Sequence, residues 1–241
     1  TIEDSLQKVL QAQKDAYLDE GFVTYETRVN RLDRALKQVL KYQDELCEAL
    51  SSDFGHRSTD LSKLTDIAAS VGPINHAKKH LKKWMKKEGR KTMFPLNLLG
   101  ASSRIEYQPL GVIGILSPWN FPVNLTFGPL ASALAAGNRV MIKPSEYTPA
   151  TSALMKKMLD EVFDETEIAV VTGGPEVGAA FSALAFDHMI FTGATSVGRH
   201  VMAAAAKNLV PVTLELGGKS PVLIGRSANL EQAADRIMMG N

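Results

Sequence analysis

One cysteine, Cys47, stands among 241 residues, and aromatic residues make up only 7% of the chain. A single thiol excludes an internal disulfide framework and fits a reducing, cytoplasmic setting. No apolar run reaches the ~18 residues of a membrane span, and the polar, amphipathic start has no secretory hydrophobic core. An excess of charge of one sign is missing too. Basic residues number 27 and acidic ones 26, a balance that argues against a nucleic-acid-binding protein. The five histidines lack the spacing of metal ligands. Neither a Gly-X-Ser-X-Gly elbow nor a Walker A loop is present, and no segment is repeated or of low complexity.

What is there is a 45% hydrophobic composition with 18 glycines, enough for one large domain or two small ones around a buried core. The first part reads as helical. Leu32, Leu36, Val39, Leu40, Leu46, Cys47 and Leu50 mark one apolar stripe. Ser51 to Ser58 breaks it, Gly72-Pro73 opens another helix, and Arg90 to Ser102 is irregular. On that second helix Ile74, Ala77, Leu81, Trp84 and Met85 share a face, with six lysines on the other. This reads as a docked helix with a solvated back; the alternative is a membrane-surface helix or a phosphate patch.

From Ser103 onward the character changes. Apolar runs at Val112–Leu116, Arg139–Ile142, Ile168–Thr172, His188–Phe191, Val212–Leu216 and Val222–Ile224 alternate with helical patterns at Leu125–Ala136, Ala150–Phe163, Pro175–Ser182, Ser196–Ala206 and Leu230–Met239. Alternation at this pitch predicts an α/β fold, a parallel sheet with helices on both faces. The expected division is a helical segment over 1–100 and a sheet-bearing unit over 101–241. Ligands in such a sheet bind beyond the carboxyl ends of the strands.

The chemistry-bearing motifs fall in those turns. Ser117-Pro-Trp-Asn-Phe-Pro122 holds Trp119 and Asn120 on a turn stiffened by two prolines, where an amide can donate to a developing oxyanion. In isolation such a turn is also commonly structural. Lys143-Pro-Ser-Glu146 ends a strand with a cation that suits phosphate or ribose and a carboxylate that accepts ribose hydroxyls; read alone it is equally a surface ion pair. Val170-Val-Thr-Gly-Gly-Pro-Glu-Val-Gly178 is a strand, a glycine turn and a helix start, whose backbone N–H groups suit a pyrophosphate, although it is not the Gly-X-Gly-X-X-Gly fingerprint. Phe191-Thr-Gly-Ala-Thr-Ser-Val-Gly198 repeats that design. Val212-Thr-Leu-Glu-Leu-Gly-Gly-Lys-Ser-Pro221 reads as a buried strand carrying a lone acid, Glu215, into two glycines; such an acid is costly unless solvated, paired or used.

In this order the motifs resemble those of the aldehyde dehydrogenase superfamily, from about Tyr107 to Asn241. Asp53-Phe-Gly-His-Arg-Ser58, Lys82-Lys-Trp-Met85 and Tyr107-Gln-Pro-Leu-Gly111 look most like its coniferyl aldehyde dehydrogenase branch. The resemblance implies a Rossmann-like domain that binds NAD, with NADP also possible, and oxidation of an aromatic or hydrophobic aldehyde to the acid through a thioester. It makes Glu215 the general base and Asn120 the oxyanion donor. It assigns Trp119, Lys143, Glu146, Gly174, Gly178, Gly193, Thr195, Ser196, Leu216 and Gly217 to the cofactor, and no residue to a metal. The family commonly has serine where this chain has Ala194, and Thr195, Ser196 and nearby amides are the expected substitutes.

The family's nucleophilic cysteine follows the general base, but no cysteine follows Glu215 here. Cys47, on an apolar stripe, reads as core. The expectation is therefore a longer parent chain, a homodimer or homotetramer acting on a small-molecule aldehyde without nucleic acid or membrane, and an inactive 241-residue portion. The rival readings are a non-catalytic dinucleotide-binding module and a relative that hands the acyl group to CoA.

Overall fold

The computed structural model describes residues 1–240. Helices α1 (Ile2–Glu20), α2 (Tyr25–Lys41) and α3 (Gln43–Phe54) lead through the short α4 (Thr59–Ser62) and a π-helical stretch at Lys63–Ala68 into α5 (Ala69–Trp84). A small antiparallel ribbon follows, β1 (Glu88–Arg90) with β2 (Ser103–Ile105). Strand and helix then alternate: β3 (Val112–Leu116), α6 (Asn124–Ala136), β4 (Arg139–Lys143), α7 (Pro149–Asp160), β5 (Ile168–Val170), α8 (Pro175–Ser182), β6 (His188–Gly193), α9 (Thr195–Ala206), β7 (Val212–Leu216) and α10 (Leu230–Gly240).

The five later strands form one parallel sheet in the order β5-β4-β3-β6-β7. The chain moves outward from β3 through β4 to β5, then returns to β3's other side with β6 and β7. That reversal places a crevice between β3 and β6 at the carboxyl ends of the strands.

Alternate side chains of each central strand serve opposite cores, as a sheet covered on both faces requires. Ile113, Ile115, Val140, Ile142, Ile168 and Val170 pack with α2, α3, α5, α6 and α7. Val112, Leu116, Met141, Ala169, Met189 and Phe191 pack with α1, α8 and α9. Gly114 is required on that second face, because a Cβ there would lie 2.7 Å from the Phe186 ring.

Polar groups fix the amino-terminal helices to the sheet. The buried Gln13 of α1 donates to the carbonyls of Val140 (3.0 Å) and Glu165 (2.9 Å). Arg31 bridges Glu20 and Glu167, Arg34 adds a second guanidinium to Glu167, and Arg139 joins Glu20. Burial would push the Glu167 carboxyl up, but the bonds from Arg34 and Arg31 hold it at about 2.

Several sequence expectations change. Helix α5 passes through Gly72-Pro73 instead of starting there. Asp66, Ser70, Ile74, Ala77 and Leu81 share one buried face, and burying it outweighs the single bond that Pro73 cannot donate. The early apolar stripe is two helices joined at Tyr42. The joint changes the phase, so Leu40 is exposed while Leu32, Val39, Leu46, Cys47 and Leu50 are buried. Of the α5 face, Ile74, Ala77 and Leu81 dock, whereas Trp84 at the helix end is exposed. Val222–Ile224 is not a strand; it is exposed coil between β7 and α10. Strand β7 is not buried either. Among the described residues it pairs on one side only, with β6, and Thr213, Glu215 and Leu216 are exposed.

Candidate functional site

At the carboxyl ends of β3, β4 and β6 lies a cavity of about 570 Å³. It brings together Trp119 after β3, Lys143 and Glu146 at the end of β4, Gly178 on α8, and Gly193 on β6. These residues come from four separate turns of the sequence, and the parallel register aligns them. Leu116 stands opposite Lys143 across β3–β4 and opposite Phe191 across β3–β6.

Lys143 is buried, and its Nζ donates to Glu146 Oε2 across the turn that leads to α7. Burial works to raise the Glu146 carboxyl, yet the bond from Lys143 holds it below the ordinary carboxylate range. The pair thus offers one fixed anion and one fixed cation to the cavity. Gly178 stands beside it, with only the Lys143 side chain near where a Cβ would go, at 3.9 Å. The turn itself is held from behind. Asp53 of α3 accepts from the amides of Ala150 (3.0 Å) and Thr151 (2.8 Å), capping α7 from outside the helix.

Two helices aim their N-termini at the cavity. Helix α9 has Ala194 as its N-cap, with no side-chain cap among the described residues; Thr195 and Ser196 of its first turn are exposed and stand between the cavity-lining Ala194 and Val197 without lining the cavity themselves. Helix α8 begins at Gly174 with Pro175 in its first turn, and the Gly174 amide donates to Glu176 Oε1 at 3.2 Å. Gly193 is needed for internal packing, since a Cβ there would lie 2.7 Å from the Phe191 ring. An uncapped helix start, a lysine, an acceptor carboxylate and an exposed indole form a donor set that fits a dinucleotide.

Asn120 and Glu215 flank this cavity without lining it. The Asn120 side chain is exposed, and its backbone carbonyl accepts from Arg57 Nη1 at 2.7 Å. Glu215 stands opposite Thr192, a cavity-lining residue, in the β6–β7 register, and Leu216 stands opposite Gly193. The expectation that Glu215 sits in a buried strand is therefore corrected: the edge position of β7 leaves its carboxylate solvated. Leu216 packs toward α9, where a Cβ on Gly198 would lie 2.8 Å from it, while Gly217 has open space around it.

Two residues that sequence reasoning passed over support the Asn120 turn. Asp66, fully buried, accepts from the amides of Val123 (3.0 Å) and Asn124 (3.2 Å) at the start of α6 and pairs with Arg57 Nη2 at 3.1 Å. Burial pushes its carboxyl up against the opposing pull of those amides and Arg57. The Arg57 guanidinium lies over both Phe54 and Phe121. No local signal marks either residue, because the groups they hold lie far along the chain.

Cys47 is buried on α3 in the core opposite α1, and burial pushes its thiol up. Among the described residues, no group of three His, Cys, Asp or Glu side chains is placed to hold a metal, and no helix is long and apolar enough to cross a membrane.

This doubly wound sheet with its crevice site is the architecture of the aldehyde dehydrogenase family. The sequence model of that family matches residues 3–241, and the chain belongs to it. Among curated relatives, it is 57% identical over 236 residues to a probable coniferyl aldehyde dehydrogenase of Caulobacter vibrioides, a match covering 98% of this chain and 49% of that protein. It is 52% identical to a coniferyl aldehyde dehydrogenase of a Pseudomonas species, covering 98% and 48%. Among solved structures, the substrate-bound AldH of Staphylococcus aureus superposes with a TM-score of 0.89 at 37% identity, over 97% of this chain and 50% of that one. A mutant AldC of Pseudomonas syringae, complexed with NAD+ and octanal, gives 0.83 at 26% identity, over 98% and 47%. The chain spans about half the length of the curated relatives it matches.

Proposed function

We propose that these residues supply the dinucleotide site, the oxyanion donor and the hydrolytic base of an enzyme that oxidises an aromatic or hydrophobic aldehyde, of the coniferyl type, to its carboxylic acid. The convergence of Trp119, Lys143, Glu146, Gly178 and Gly193 on one cavity at the β3/β6 crevice carries this reading. Relatives named for coniferyl aldehyde support the substrate class.

In this account residues 1–100 buttress the sheet and 101–241 hold the cofactor. Lys143 and Glu146 bind a ribose, the N-terminal turns of α8 and α9 (Gly174, Thr195, Ser196) face the phosphates, and Trp119 covers them. Leu216 and Gly217 border the nicotinamide end. Glu146 favours NAD over NADP, because a carboxylate accepts ribose hydroxyls and repels a 2′-phosphate. A dinucleotide held by these residues would supply the acceptor for the hydride that leaves the substrate carbon. A thiolate from outside these residues adds to the aldehyde carbonyl, and the Asn120 amide donates to the oxygen as it gains charge. Glu215 then takes a proton from the water that cleaves the thioester, a general-base contribution of typically ~10²–10⁴-fold. Residues 1–241 alone hold only a buried, neutral thiol at Cys47, so they bind cofactor without turning over aldehyde.

A product assay on the thiol-bearing enzyme tests the reaction. Free acid with no dependence on CoA supports it; an acyl-CoA product would replace it with the acyl-transferring reading. Dinucleotide binding by an enzyme that leaves every aldehyde unchanged would favour the non-catalytic module.

A further inference from the structure

Arg57 and Asp66 join three segments that are far apart in sequence. Asp66 Oδ1 accepts from both amides at the start of α6, its Oδ2 forms an ion pair with Arg57 Nη2 at 3.1 Å, and Arg57 Nη1 donates to the Asn120 carbonyl. The Pro118–Pro122 turn is thus held at its middle, by Arg57 at Asn120, and just past its end, by Asp66 immediately after Pro122. Thr65 adds a further acceptor for Arg57 Nη2 at 3.1 Å, and the guanidinium lies 4.8 Å from the Phe54 ring centroid and 4.9 Å from that of Phe121. Both charged side chains are buried, Asp66 completely and the Arg57 side chain to 8% exposure. Water competes weakly for the buried bond from the Val123 amide to Asp66, whereas the Arg57 bond to the Asn120 carbonyl lies at the exposed end of the network. Asp66 sits in the π-helical stretch Lys63–Ala68, a register change of the kind that places side chains at functional sites.

We infer that the Arg57–Asp66 pair is a positioning device that fixes the peptide of Asn120, and so the direction in which its amide donates during aldehyde oxidation. The inference rests on the oxyanion role proposed above for Asn120. Neither residue lines the cofactor cavity, so the pair acts on the chemical step and leaves dinucleotide binding alone. The pairing is also specific to arginine, whose planar fork spans Asp66 and Asn120 together. A lysine ammonium on the same stem keeps the charge but cannot hold both in one plane.

The test is a double-mutant cycle in the full-length, thiol-bearing enzyme, using Arg57→Lys, Asn120→Ala and the pair, with Asp66→Asn as a second route. Asp66→Asn keeps an oxygen for the α6 amides and weakens only the tie to Arg57. The expected result is a kcat about 10- to 100-fold lower for Arg57→Lys, as for a donor displaced by about 1 Å. The KM for NAD and the Kd for NAD+ stay within twofold. In the Asn120→Ala background, Arg57→Lys costs little more, because the group it positions is gone. A full Arg57→Lys loss persisting in that background overturns the inference, as does unchanged kcat in both Arg57→Lys and Asp66→Asn. Unchanged kcat in Asn120→Ala alone overturns the oxyanion reading itself. Should Arg57→Lys fail to fold, the Asp66→Asn cycle with Asn120→Ala reads the same coupling.

Discussion

Lys143 and Glu146, three residues apart at the end of β4, form a hydrogen-bonded ion pair that faces the crevice between β3 and β6. The lysine is buried and the carboxylate half-exposed, so the anion is the partner a ligand meets, already oriented and kept ionised by its neighbour. Cofactor preference should therefore depend on Glu146. Replacing it with glutamine removes the charge that opposes a 2′-phosphate and leaves Lys143 without its counterion. The expected outcome is a shift of NAD-over-NADP selectivity toward NADP by about tenfold, equivalent to ~1.4 kcal/mol, measured as the ratio of kcat/KM for the two cofactors in the thiol-bearing enzyme. An unchanged ratio removes Glu146 from the ribose site.

Cys47 should behave as core and not as a nucleophile. Its thiol is buried against Leu46 and Leu50 in the helical core, and burial raises its pKa. In the native chain it should resist a thiol reagent at neutral pH and react on unfolding. Cys47→Ala should leave cofactor binding intact. Rapid native labelling that blocks NAD+ binding would contradict this placement.

Gly114 is set by sheet-to-helix packing. A methyl group there would meet the Phe186 ring, itself buried in the core with α8 and α9. Gly114→Ala should destabilise the chain by about 1–3 kcal/mol through overpacking, read as a lower midpoint in urea with an unchanged slope. A neutral result would show that the ring can move aside.

Acid should weaken the clamp of α1 and α2 on the sheet. Glu167 sits at about 2 in the folded chain, against ~4.3 for an unperturbed glutamate. Its folded pKa is depressed, so its contribution is complete above the unfolded value and is lost as pH falls from about 4.3 toward 2. Glu167→Gln should lower stability at pH 7 and flatten the acid limb over that window, both read by urea unfolding. An acid limb identical to that of the parent would place the acid sensitivity elsewhere.

How much was legible in the sequence follows from where each residue's partners lie. Strands β3 and β7 match their apolar runs in full, and β4 and β6 start where expected but run one and two residues further. Unbroken branched runs between turn residues have few other uses. The burial of β7 was misread for the same reason, because composition does not say whether a strand is central or at an edge. Val222–Ile224 looks like a strand but has none beside it among the described residues. Trp119, Lys143, Glu146, Gly178 and Gly193, which share one cavity, were legible because each motif lies within one turn. Arg57 and Asp66 were not, since their partners Asn120, Val123 and Asn124 lie more than fifty positions away. In the sequence, the Asp53-Phe-Gly-His-Arg-Ser58 motif carries only a family resemblance. The structure gives it a physical role: Asp53 caps α7 behind Glu146, and Arg57 ties down Asn120.

The proposed dinucleotide site lies wholly within residues 1–241, whereas the proposed attacking thiol does not. Residues 1–241 can be titrated with NAD+ by calorimetry and an aromatic aldehyde then added. The expected result is saturable binding of one NAD+, weakened in Lys143→Ala, and no NADH after the aldehyde is added. Absence of binding in the folded chain, or steady NADH formation, would contradict it.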